Sequence, residues 1–432
     1  MSRVVIVGSG AGGATVAREL AGRHDVTVLE SGGDFRPFGF DLDRLARARW
    51  TGAFYDARLI SFLFPAMRVR KASSPSGFNR MILVSGACTG GTTTVAAGNA
   101  VRADDGLEAA GIDLDDEFRE LAAEIPVTTD HSRRWGASVR RLAEVCAAMG
   151  LDPAPAPKFG DYSRCRRCGR CVLGCPAGAK WDARRLLEDA KVKGARVRTG
   201  WTVDKLVMGN RWAAGVRARC GLRRSVFEAD IVILAAGGFG TPAILERSGI
   251  ECDARLFVDP VLCVAARSEA ARLDREISMP FIVRRDGYII APYMDWLSFF
   301  FDPAWRMPAA DIVPLMIKIA DEDRGKVGPG GIEKPLTERD RRRLAEGAAL
   351  CGDILERIGA PRKSHFLGML NAGHPGGALP AGAGPQPFHD PRLPPNVWVA
   401  DASLLPSALG LPPMLTVMAM AKRVARLAVA SR

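Results

Sequence analysis

The sequence predicts an α/β domain of the Rossmann type, a second α+β domain built on an antiparallel sheet, and a small cysteine-rich module. Three observations lead to this prediction. The chain opens with a short apolar strand that runs into a glycine-rich turn. Residues 255–320 alternate apolar and polar side chains, as strands of a half-buried antiparallel sheet do. Four cysteines lie close together between Cys165 and Cys175.

Length and composition are typical of a soluble globular protein. The 432 residues suffice for two or three domains, and 47% of them are apolar while 25% are charged. The longest apolar runs, 231–236 and 414–421, are too short to span a bilayer. Because the chain begins with a strand and not with a signal-peptide pattern, we expect a cytoplasmic protein.

The first thirty residues predict a βαβ unit that binds a nucleotide. Gly8, Gly10 and Gly13 form the pattern G-x-G-x-x-G, in which the first glycine permits a tight turn and the second lets backbone approach a pyrophosphate. The third allows helix and strand to pack closely, with the helix N-terminus facing the phosphates. Glu30 ends the second strand, where a carboxylate accepts hydrogen bonds from ribose hydroxyls. The predicted elements are strand 3–7, helix 14–22 and strand 26–30.

Two later segments also place small residues where backbone can approach a ligand. Gly90, Gly91 and Thr92 belong to a glycine and hydroxyl cluster within 84–102, which suits close contact with a flat ring or a diphosphate. Residues 229–242 predict an apolar strand that ends in glycines before another helix, which is a second strand end facing a nucleotide.

The rest of the pattern indicates helices and connections. Residues 36–80 are irregular and rich in Arg, Phe and Pro, which suits a connection that covers a cofactor better than it suits a sheet. The aromatic segment 296–305 is interpreted as core, as the wall of a hydrophobic pocket, or as a segment that dips into a membrane surface. Thr337 is expected to cap a helix before Asp340. Helices are predicted at 117–125, 138–149, 184–193 and 337–359, with a proline-rich linker at 153–157.

The cysteine run predicts an iron–sulfur cluster. Cys165, Cys168, Cys171 and Cys175 have the spacing C-x2-C-x2-C-x3-C-P, and thiolates without a nearby imidazole favour iron–sulfur over a mixed zinc site. The alternatives are a structural zinc ion with four thiolate ligands and a pair of disulfides. The fourth cluster ligand is either Cys175 or a remote cysteine. The remote candidates are Cys88, Cys146, Cys220, Cys252, Cys263 and Cys351.

Positive charge is concentrated around the cysteines. The net charge is +12, and residues 164–198 hold eleven Lys or Arg against three acidic residues. Such a basic field would steer an acidic partner. Nucleic acid is a weaker explanation, because the segment has no interleaved aromatic residues and no recognisable reading module. A solvated charged face is the simplest alternative.

These motifs, taken in order, resemble the glucose-methanol-choline (GMC) family of flavin oxidoreductases. Residues 8–30 resemble the FAD signature of the family, and residues 90–102 align without gaps with its G-G-S-S-x-x-N-x-x-x-x-x-R segment. Residues 231–250 resemble a third family stretch. Residues 396–406 and 413–421 resemble the last strand and helix of the family, which wall the flavin.

The resemblance implies bound FAD and a set of residues that hold it. By their match to the family motifs, these are Gly8, Gly10, Gly13, Glu30, Gly90, Gly91, Thr92, Asn99, Ala236, Gly237, Asp401, Ala402, Pro413 and Met414. The cysteine module is absent from the well-known oxidases of the family and is similar to an iron–sulfur branch found among anaerobes. The expected cofactors are therefore FAD and a [4Fe-4S] cluster.

Only one of the two catalytic residues of the family has a match in this sequence. His374 matches the first active-site histidine and is expected to act as the base that takes the hydroxyl proton. The second position, usually His or Asn, meets Pro412 and Pro413, and proline offers no donor. Ala96 replaces an asparagine of the G-G-S-S segment.

The expected function is FAD-dependent oxidation or reduction at a CH–OH or carbonyl group of a small hydrophobic alcohol or aldehyde. Because FAD carries two electrons and a cluster carries one at a time, we expect the cluster to relay electrons to an acidic carrier such as ferredoxin or flavodoxin. This favours a dehydrogenase or reductase over an oxidase. The alternatives are double-bond reduction or isomerisation on the same fold, and a flavoprotein with a structural zinc site.

The predicted domains are discontinuous. The FAD-binding domain takes residues 1–35, 80–110, 195–255 and 366–432. The substrate or cap domain takes 36–79, 111–157 and 256–365, and the cysteine-rich module takes 158–183.

Overall fold

The computed structural model describes residues 1–39, 64–73, 81–103, 105–382 and 386–430, together with Arg44 and Arg47. Much of the predicted irregular connection 36–80 lies outside these residues. The part that is described includes the strand Met67–Ser73, which pairs antiparallel with Ile82–Gly86. The prediction that this connection avoids the sheet is therefore wrong for 67–73. Pairing with a strand that follows later in the chain decides its conformation, and local composition carries no sign of such pairing.

A five-stranded parallel sheet forms the nucleotide-binding side of the molecule. Four of its strands are almost wholly buried, as both faces of a parallel sheet usually are, and the edge strand Arg196–Arg198 is exposed or half-buried. The predicted first strand is confirmed at Arg3–Val7, and the second is found one residue early at Asp25–Leu29. In spatial order the strands are Val397–Val399, Ile231–Leu234, Arg3–Val7, Asp25–Leu29 and Arg196–Arg198. An antiparallel sheet of Thr202–Met208, Ala213–Cys220 and Arg223–Glu228 accompanies them.

The first helix begins earlier than the sequence predicts. It spans Ala11–Leu20, so that Gly12 lies in its first turn and not in the loop before it. A Cβ atom on Gly12 would lie 1.7 Å from the carbonyl oxygen of Ala400, which follows the last strand. The helix can therefore start at this point only because the residue has no side chain. The helix packs against the last helix, Met414–Ala430.

A large mixed sheet forms the second side. The predicted antiparallel arrangement of 255–320 is confirmed by four strands, Val261–Arg267, Phe281–Arg285, Tyr288–Pro292 and Ile312–Ile319. The remaining strands of this sheet are Met67–Ser73, Ile82–Gly86, Ala154–Pro155, Lys326–Gly328, Gly331–Glu333, His365–Leu367 and Asn371–Ala372.

The two faces of this sheet bury different partners. Val264, Ile290 and Ile317 face a core shared with the long helix Glu338–Arg357. Thr337 caps that helix as predicted, since its side chain accepts from the Asp340 amide while the Asp340 side chain accepts from the Thr337 amide. The alternate residues of the strands face the other way, into an aromatic core.

The aromatic segment 296–305 belongs to that second core. It forms the short helix Trp296–Phe301 and a following turn, and Trp305 is 0% exposed. Trp296, Leu297 and Phe301 also line a large cavity. The segment is therefore core and cavity wall, and its burial contradicts the interpretation that it dips into a membrane surface.

The other helices and short strands fill the space around the two sheets. Leu114, Phe118 and Leu121 pack into the core of the parallel sheet, so 111–125 associates with the nucleotide-binding side; the domain division itself stays a prediction. Within the described ranges, no helix has the length and apolar composition needed to cross a bilayer. These elements are helices Asp105–Glu108, Asp115–Glu124, Ala137–Ala148, Arg184–Val192 and Gly237–Arg247, and strands Val127–Thr128 and Lys158–Phe159.

Candidate flavin site and cysteine module

A cavity of about 780 Å³ lies at the carboxyl ends of the parallel strands and is closed on its other side by the large sheet. Ligands of open α/β sheets bind at this end of the strands. Of the fourteen residues expected to hold FAD, all except Gly13 and Gly90 line the cavity, and so does His374. The twelve are Gly8, Gly10, Glu30, Gly91, Thr92, Asn99, Ala236, Gly237, Asp401, Ala402, Pro413 and Met414.

The two exceptions shape the backbone behind the wall. A Cβ on Gly13 would lie 2.0 Å from the carbonyl oxygen of Gly8, which is the close helix–strand packing expected of the third motif glycine. Gly90 has φ +84°, a left-handed conformation that glycine adopts without strain. It turns the chain out of the strand Ile82–Gly86 toward the cavity.

Bare backbone from two segments meets at the cavity wall. Gly91 has φ +54°, and a Cβ on it would lie 2.8 Å from the Cα of Gly10. No side chain stands between the turn after the first strand and the turn after Ile82–Gly86. This absence of side chains fits a flat, phosphate-bearing ligand such as FAD, whose diphosphate needs close backbone approach.

Glu30 lies where predicted, at the end of the second strand, and is 5% exposed. Its Oε2 accepts hydrogen bonds from the amide (3.1 Å) and hydroxyl (2.6 Å) of Ser9, and its Oε1 accepts from the Gly32 amide (2.8 Å). These bonds hold the carboxylate in one orientation on the cavity wall. The Ser31 hydroxyl also approaches Oε1 at 3.3 Å, so each oxygen already has two donors and a ribose hydroxyl would take the place of a serine hydroxyl.

Asp401 fastens the last strand to the turn after Ile231–Leu234. Its Oδ2 accepts from the Gly237 amide (2.8 Å) and the Thr241 hydroxyl (2.5 Å), and its Oδ1 accepts from the Ser403 amide (2.8 Å). Burial raises the pKa of this carboxyl, while these donors act in the opposite direction. Its carboxylate thus positions the walls of the site.

His374 enters the cavity from the second side, and its side chain is 26% exposed there. Nδ1 lies 3.4 Å from Oδ2 of Asp259. Burial lowers the pKa of His374, and the neighbouring Lys318 ammonium lowers it further, while Asp259 acts in the opposite direction. The imidazole is therefore neutral at neutral pH and able to accept a proton.

Pro412 and Pro413 line the cavity immediately before the helix Met414–Ala430. The side-chain donor of the second family position is absent from them, as the sequence indicates. The N-terminus of this long helix points its unpaired amides and partial positive charge toward the cavity wall.

The four clustered cysteines surround a small cavity of about 10 Å³, together with Lys180, Tyr162 and Glu276 among others. All ten cysteines of the chain are described and free, which contradicts the disulfide alternative. None of the six remote cysteines lines this cavity, whereas Cys175 does. Among the described residues, no group of three or more His, Cys, Asp or Glu side chains is arranged to hold a metal ion. Burial raises the pKa of Cys165 to about 11.

Two buried lysines join the cysteine module to the flavin-side segment. Lys180 donates to the carbonyl oxygens of Thr93 (3.1 Å), Thr94 (2.7 Å) and Ala96 (2.8 Å). Lys158 donates to Ser278 O (2.6 Å), Ala97 O (3.3 Å) and Oδ1 of Asn99. Burial lowers the pKa of Lys158 to about 7, and the Cys171 and Cys165 thiols act in the opposite direction.

The cysteine module borders the large cavity directly. Cys171 lines the small cavity, while the next two residues, Val172 and Leu173, line the large one. All three belong to one short turn, Cys171–Leu173, which contacts the turn Gly91–Val95 of the flavin side. The two cavities are thus separated by adjacent residues of one turn.

Sequence reasoning missed several polar residues of the site. Lys318 and Asn371 line the cavity from the large sheet, and Asp259 lies behind Lys318 as its ion-pair partner; only strand pairing brings these residues together. One signal was present for Lys318, because it is the single charged residue in the apolar strand Ile312–Ile319. A buried cation in such a strand needs a partner, which indicates a built polar site.

Gly12→Ala is expected to destabilise the protein and to abolish flavin binding. The new methyl group would overlap the Ala400 carbonyl oxygen, so the first helix and the last strand would have to separate, at a cost of about 3 kcal/mol or more. Thermal unfolding and the visible flavin absorbance of the purified variant measure both effects. Gly33→Ala is the matched control, because no atom lies within 4 Å of its added Cβ. Equal flavin content in the two variants would contradict this packing.

Residues 3–261 match the family described as GMC oxidoreductase. An uncharacterized GMC-type oxidoreductase of Mycobacterium tuberculosis is 31% identical over 98% of this chain and 75% of its own length. An uncharacterized protein of Methanocaldococcus jannaschii is 24% identical over 98% of both chains.

The crystal structure of pyridoxine 4-oxidase from Mesorbium loti superposes with a TM-score of 0.71 at 19% identity, over 100% of this chain and 99% of that one. At that identity the likeness shows the shared fold. The family match covers more than half of the chain. The chain therefore belongs to the GMC oxidoreductase family of FAD-dependent oxidoreductases.

Proposed function

We propose that this enzyme is an FAD-dependent dehydrogenase or reductase acting on a CH–OH or carbonyl group of a small hydrophobic substrate. We further propose that electrons leave through a [4Fe-4S] cluster to a one-electron carrier. The observation that carries the proposal is the turn Cys171–Leu173, which borders the flavin cavity with two residues and the cysteine cavity with a third.

The residues that would hold FAD are the twelve that line the cavity, supported from behind by Gly13 and Gly90. Gly8 and Gly10 would contact the diphosphate at the helix N-terminus, and Glu30 would accept from the ribose. When bound, FAD supplies a two-electron acceptor for the hydride of the carbinol carbon. The role left to the protein is to bind the alcohol and to take its hydroxyl proton.

His374 is proposed as the base that takes this proton. Because Nδ1 faces Asp259, the opposite nitrogen, Nε2, is the one available to a substrate hydroxyl. General base catalysis needs a neutral imidazole, and both burial and Lys318 favour that form. In the reductive direction, the same residue would donate the proton to the carbonyl oxygen.

The cavity wall favours an apolar substrate. Apolar side chains of the aromatic core, most of them aromatic or sulfur-containing, line the same cavity as His374. These are Phe64, Met279, Tyr293, Trp296, Leu297, Phe301 and Met316. An aliphatic or aromatic alcohol fits such a wall better than a polyol, because each uncompensated hydroxyl buried there would lose hydrogen bonds to water.

Cys165, Cys168, Cys171 and Cys175 are proposed as the cluster ligands. They converge on one cavity, and two buried lysines lie beside them, which suits thiolates carrying net negative charge. A cluster contains several irons and so holds its thiolates farther apart than a single ion does. The thiols would have to part to admit it, because the cavity they line is small.

The exposed face of the module is proposed as the docking site of an acidic carrier. Cys168 and Cys175 are partly exposed, and exposed arginines flank them. Arg134 donates to the Cys165 carbonyl oxygen (2.8 Å), which fixes the neighbouring helical turn onto the module. The flanking arginines are Arg133, Arg134, Arg164, Arg166 and Arg167.

Reversing two of these charges should slow electron transfer to the carrier. We expect Arg164→Glu with Arg166→Glu to lower the rate constant of ferredoxin reduction about tenfold at low salt, with the difference shrinking as salt rises, because steering is screened. Stopped-flow mixing of photochemically reduced enzyme with oxidised ferredoxin measures this rate. Arg211→Glu, on an exposed turn of the nucleotide-binding side, is the control. A slowdown equal in both variants would refute the docking face.

A substrate screen tests the proposed reaction. The anaerobically purified enzyme is mixed with alcohols and aldehydes of increasing chain length, and an artificial one-electron acceptor reports turnover. Activity that rises with apolar chain length supports the proposal. Reduction of activated double bonds without any turnover of alcohols or aldehydes would refute it in favour of the alternative chemistry.

A further inference from the structure

We infer that Asp259 and Lys318 form a positioning pair for His374. The pair holds the imidazole with its proton on Nδ1 and keeps the ring neutral, so that Nε2 faces the cavity as an acceptor. This inference rests on the proposed role of His374 as the base.

The three side chains share one carboxylate oxygen. Lys318 donates from Nζ to Oδ2 of Asp259 at 2.7 Å, and Nδ1 of His374 lies 3.4 Å from the same oxygen. Asp259 and Lys318 are each 1% exposed, while His374 and Lys318 both line the cavity. The ion pair is therefore desolvated and lies directly beside the site.

Asp259 is the candidate hydrogen-bond partner of Nδ1 of His374. Nδ1 of His374 is buried and makes no hydrogen bond of good geometry, and 3.4 Å is long for an N–H···O bond. A small rotation of the ring would complete the bond to Asp259, and catalytic hydrogen bonds are often this loose before ligands bind. A carboxylate acceptor selects the tautomer with the proton on Nδ1.

Asp259 is held in place against backbone strain. It has φ +51°, which is unfavourable for a residue with a side chain. Its amide donates to Asp321 (2.8 Å), and its Oδ1 accepts from the Gly410 amide (3.2 Å). Strained residues held by several bonds cluster at functional sites. The fold thus fixes Oδ2 in the one direction that serves both Lys318 and His374.

Charge balance around the imidazole explains why both partners are needed. Asp259 alone would favour the charged imidazolium and raise the pKa of His374, whereas Lys318 neutralises this effect. Behind them, Asp321 contacts the Asp259 amide and pairs with Lys334 at 2.7 Å. Among the described residues, Asp259, Lys318 and Asp321 thus face His374 or one another from the loop before Val261–Arg267, from Ile312–Ile319 and from the segment after it, and Lys334 lies one step farther away as the partner of Asp321.

Lys334 offers a matched comparison. It is a second buried lysine, whose Nζ lies 2.7 Å from Oδ2 of Asp321, and the side chains of both residues are 0% exposed. Unlike Lys318, it does not line the cavity and does not touch Asp259. Lys318→Met and Lys334→Met remove equivalent charges, so they separate a local effect on His374 from the general cost of losing a buried ion pair.

The experiment follows His374 by NMR in the holoenzyme labelled with ¹³C and ¹⁵N at histidine. The chain has only five histidines, and His374→Gln identifies the signal. We expect the proton on Nδ1 and a titration midpoint below the usual value of about 6.5. Lys318→Met should raise the midpoint by about one pH unit, a tenfold change in proton affinity. Lys318→Arg should restore it, and Lys334→Met should leave it unchanged.

Three results would overturn the pair: a proton on Nε2 in the unsubstituted enzyme, a midpoint insensitive to Lys318→Met, or equal shifts in the two methionine variants. The position of the proton on His374 is measured in the unsubstituted enzyme, so it tests the positioning pair even if Lys318→Met does not fold. The titration also needs no substrate. An enzyme that oxidises no alcohol while His374 titrates as expected contradicts the proposed function alone, and an active enzyme whose His374 ignores Lys318 contradicts the positioning pair alone.

Discussion

Replacing His374 by alanine is expected to lower kcat for alcohol oxidation by about 10²- to 10⁴-fold, the usual contribution of a general base. The variant should still bind FAD, because His374 is not among the twelve predicted flavin residues that line the cavity, and all twelve remain in place. The measurement is steady-state turnover with the best alcohol of the screen, together with the flavin content of the purified variant.

The control for this variant is His365→Gln. His365 lies in the strand His365–Leu367, where its Nε2 is within 3.0 Å of the Ala360 carbonyl oxygen, and it does not line the cavity. It should retain turnover within about twofold of the parent enzyme. Alcohol oxidation that survives His374→Ala at a similar rate would assign the base to another residue and remove the central step of the mechanism.

Replacing Cys171 by serine should have the second large effect. Cys171 is the cysteine nearest in sequence to the two residues that line the flavin cavity, and serine oxygen is a poor ligand for iron in this setting. We expect loss of bound iron and a drop of more than about 100-fold in carrier reduction. Bleaching of the flavin by substrate should persist, because hydride transfer does not involve the cysteines.

Cys220→Ser is the control, since Cys220 lies in the strand Ala213–Cys220 and lines neither cavity. It should retain iron and carrier reduction. A Cys171→Ser enzyme that reduces the carrier at the parent rate would show that electrons leave the flavin by another path. Cys175→Ser is expected to behave as Cys171→Ser does, because Cys175 and none of the remote cysteines lines the small cavity.

The parallel sheet and its nucleotide motif were largely predictable from sequence. Their signals are local in the sequence. A continuous apolar run without alternation, followed by a glycine turn, is typical of a buried parallel strand that leads into a nucleotide-binding helix. The start of the first helix was not predictable from local sequence. It depends on the close approach of Gly12 to Ala400, which is nearly four hundred residues away in the chain. The long helix was predicted with its cap because Thr337 and Asp340 are local to each other.

The site residues that belong to short sequence motifs were predictable, whereas those that are brought together by strand pairing were not. Backbone glycines and His374 follow from short motifs, and the structure brings them to one cavity. Asp259 and Lys318 belong to no motif, and they meet only because Val261 pairs with Lys318 across two antiparallel strands. The strand Met67–Ser73 was missed for the same reason, since its partner strands decide its conformation.

The metal and flavin composition of the anaerobically prepared protein decides whether a [4Fe-4S] cluster lies beside bound FAD. Iron, acid-labile sulfide, zinc and flavin are counted on one sample whose visible spectrum is also recorded. We predict about four iron and four sulfide per FAD, with a broad shoulder beneath the flavin bands that bleaches on reduction. A plain flavin spectrum with zinc in place of iron, or the four thiols joined as disulfides, would contradict this prediction.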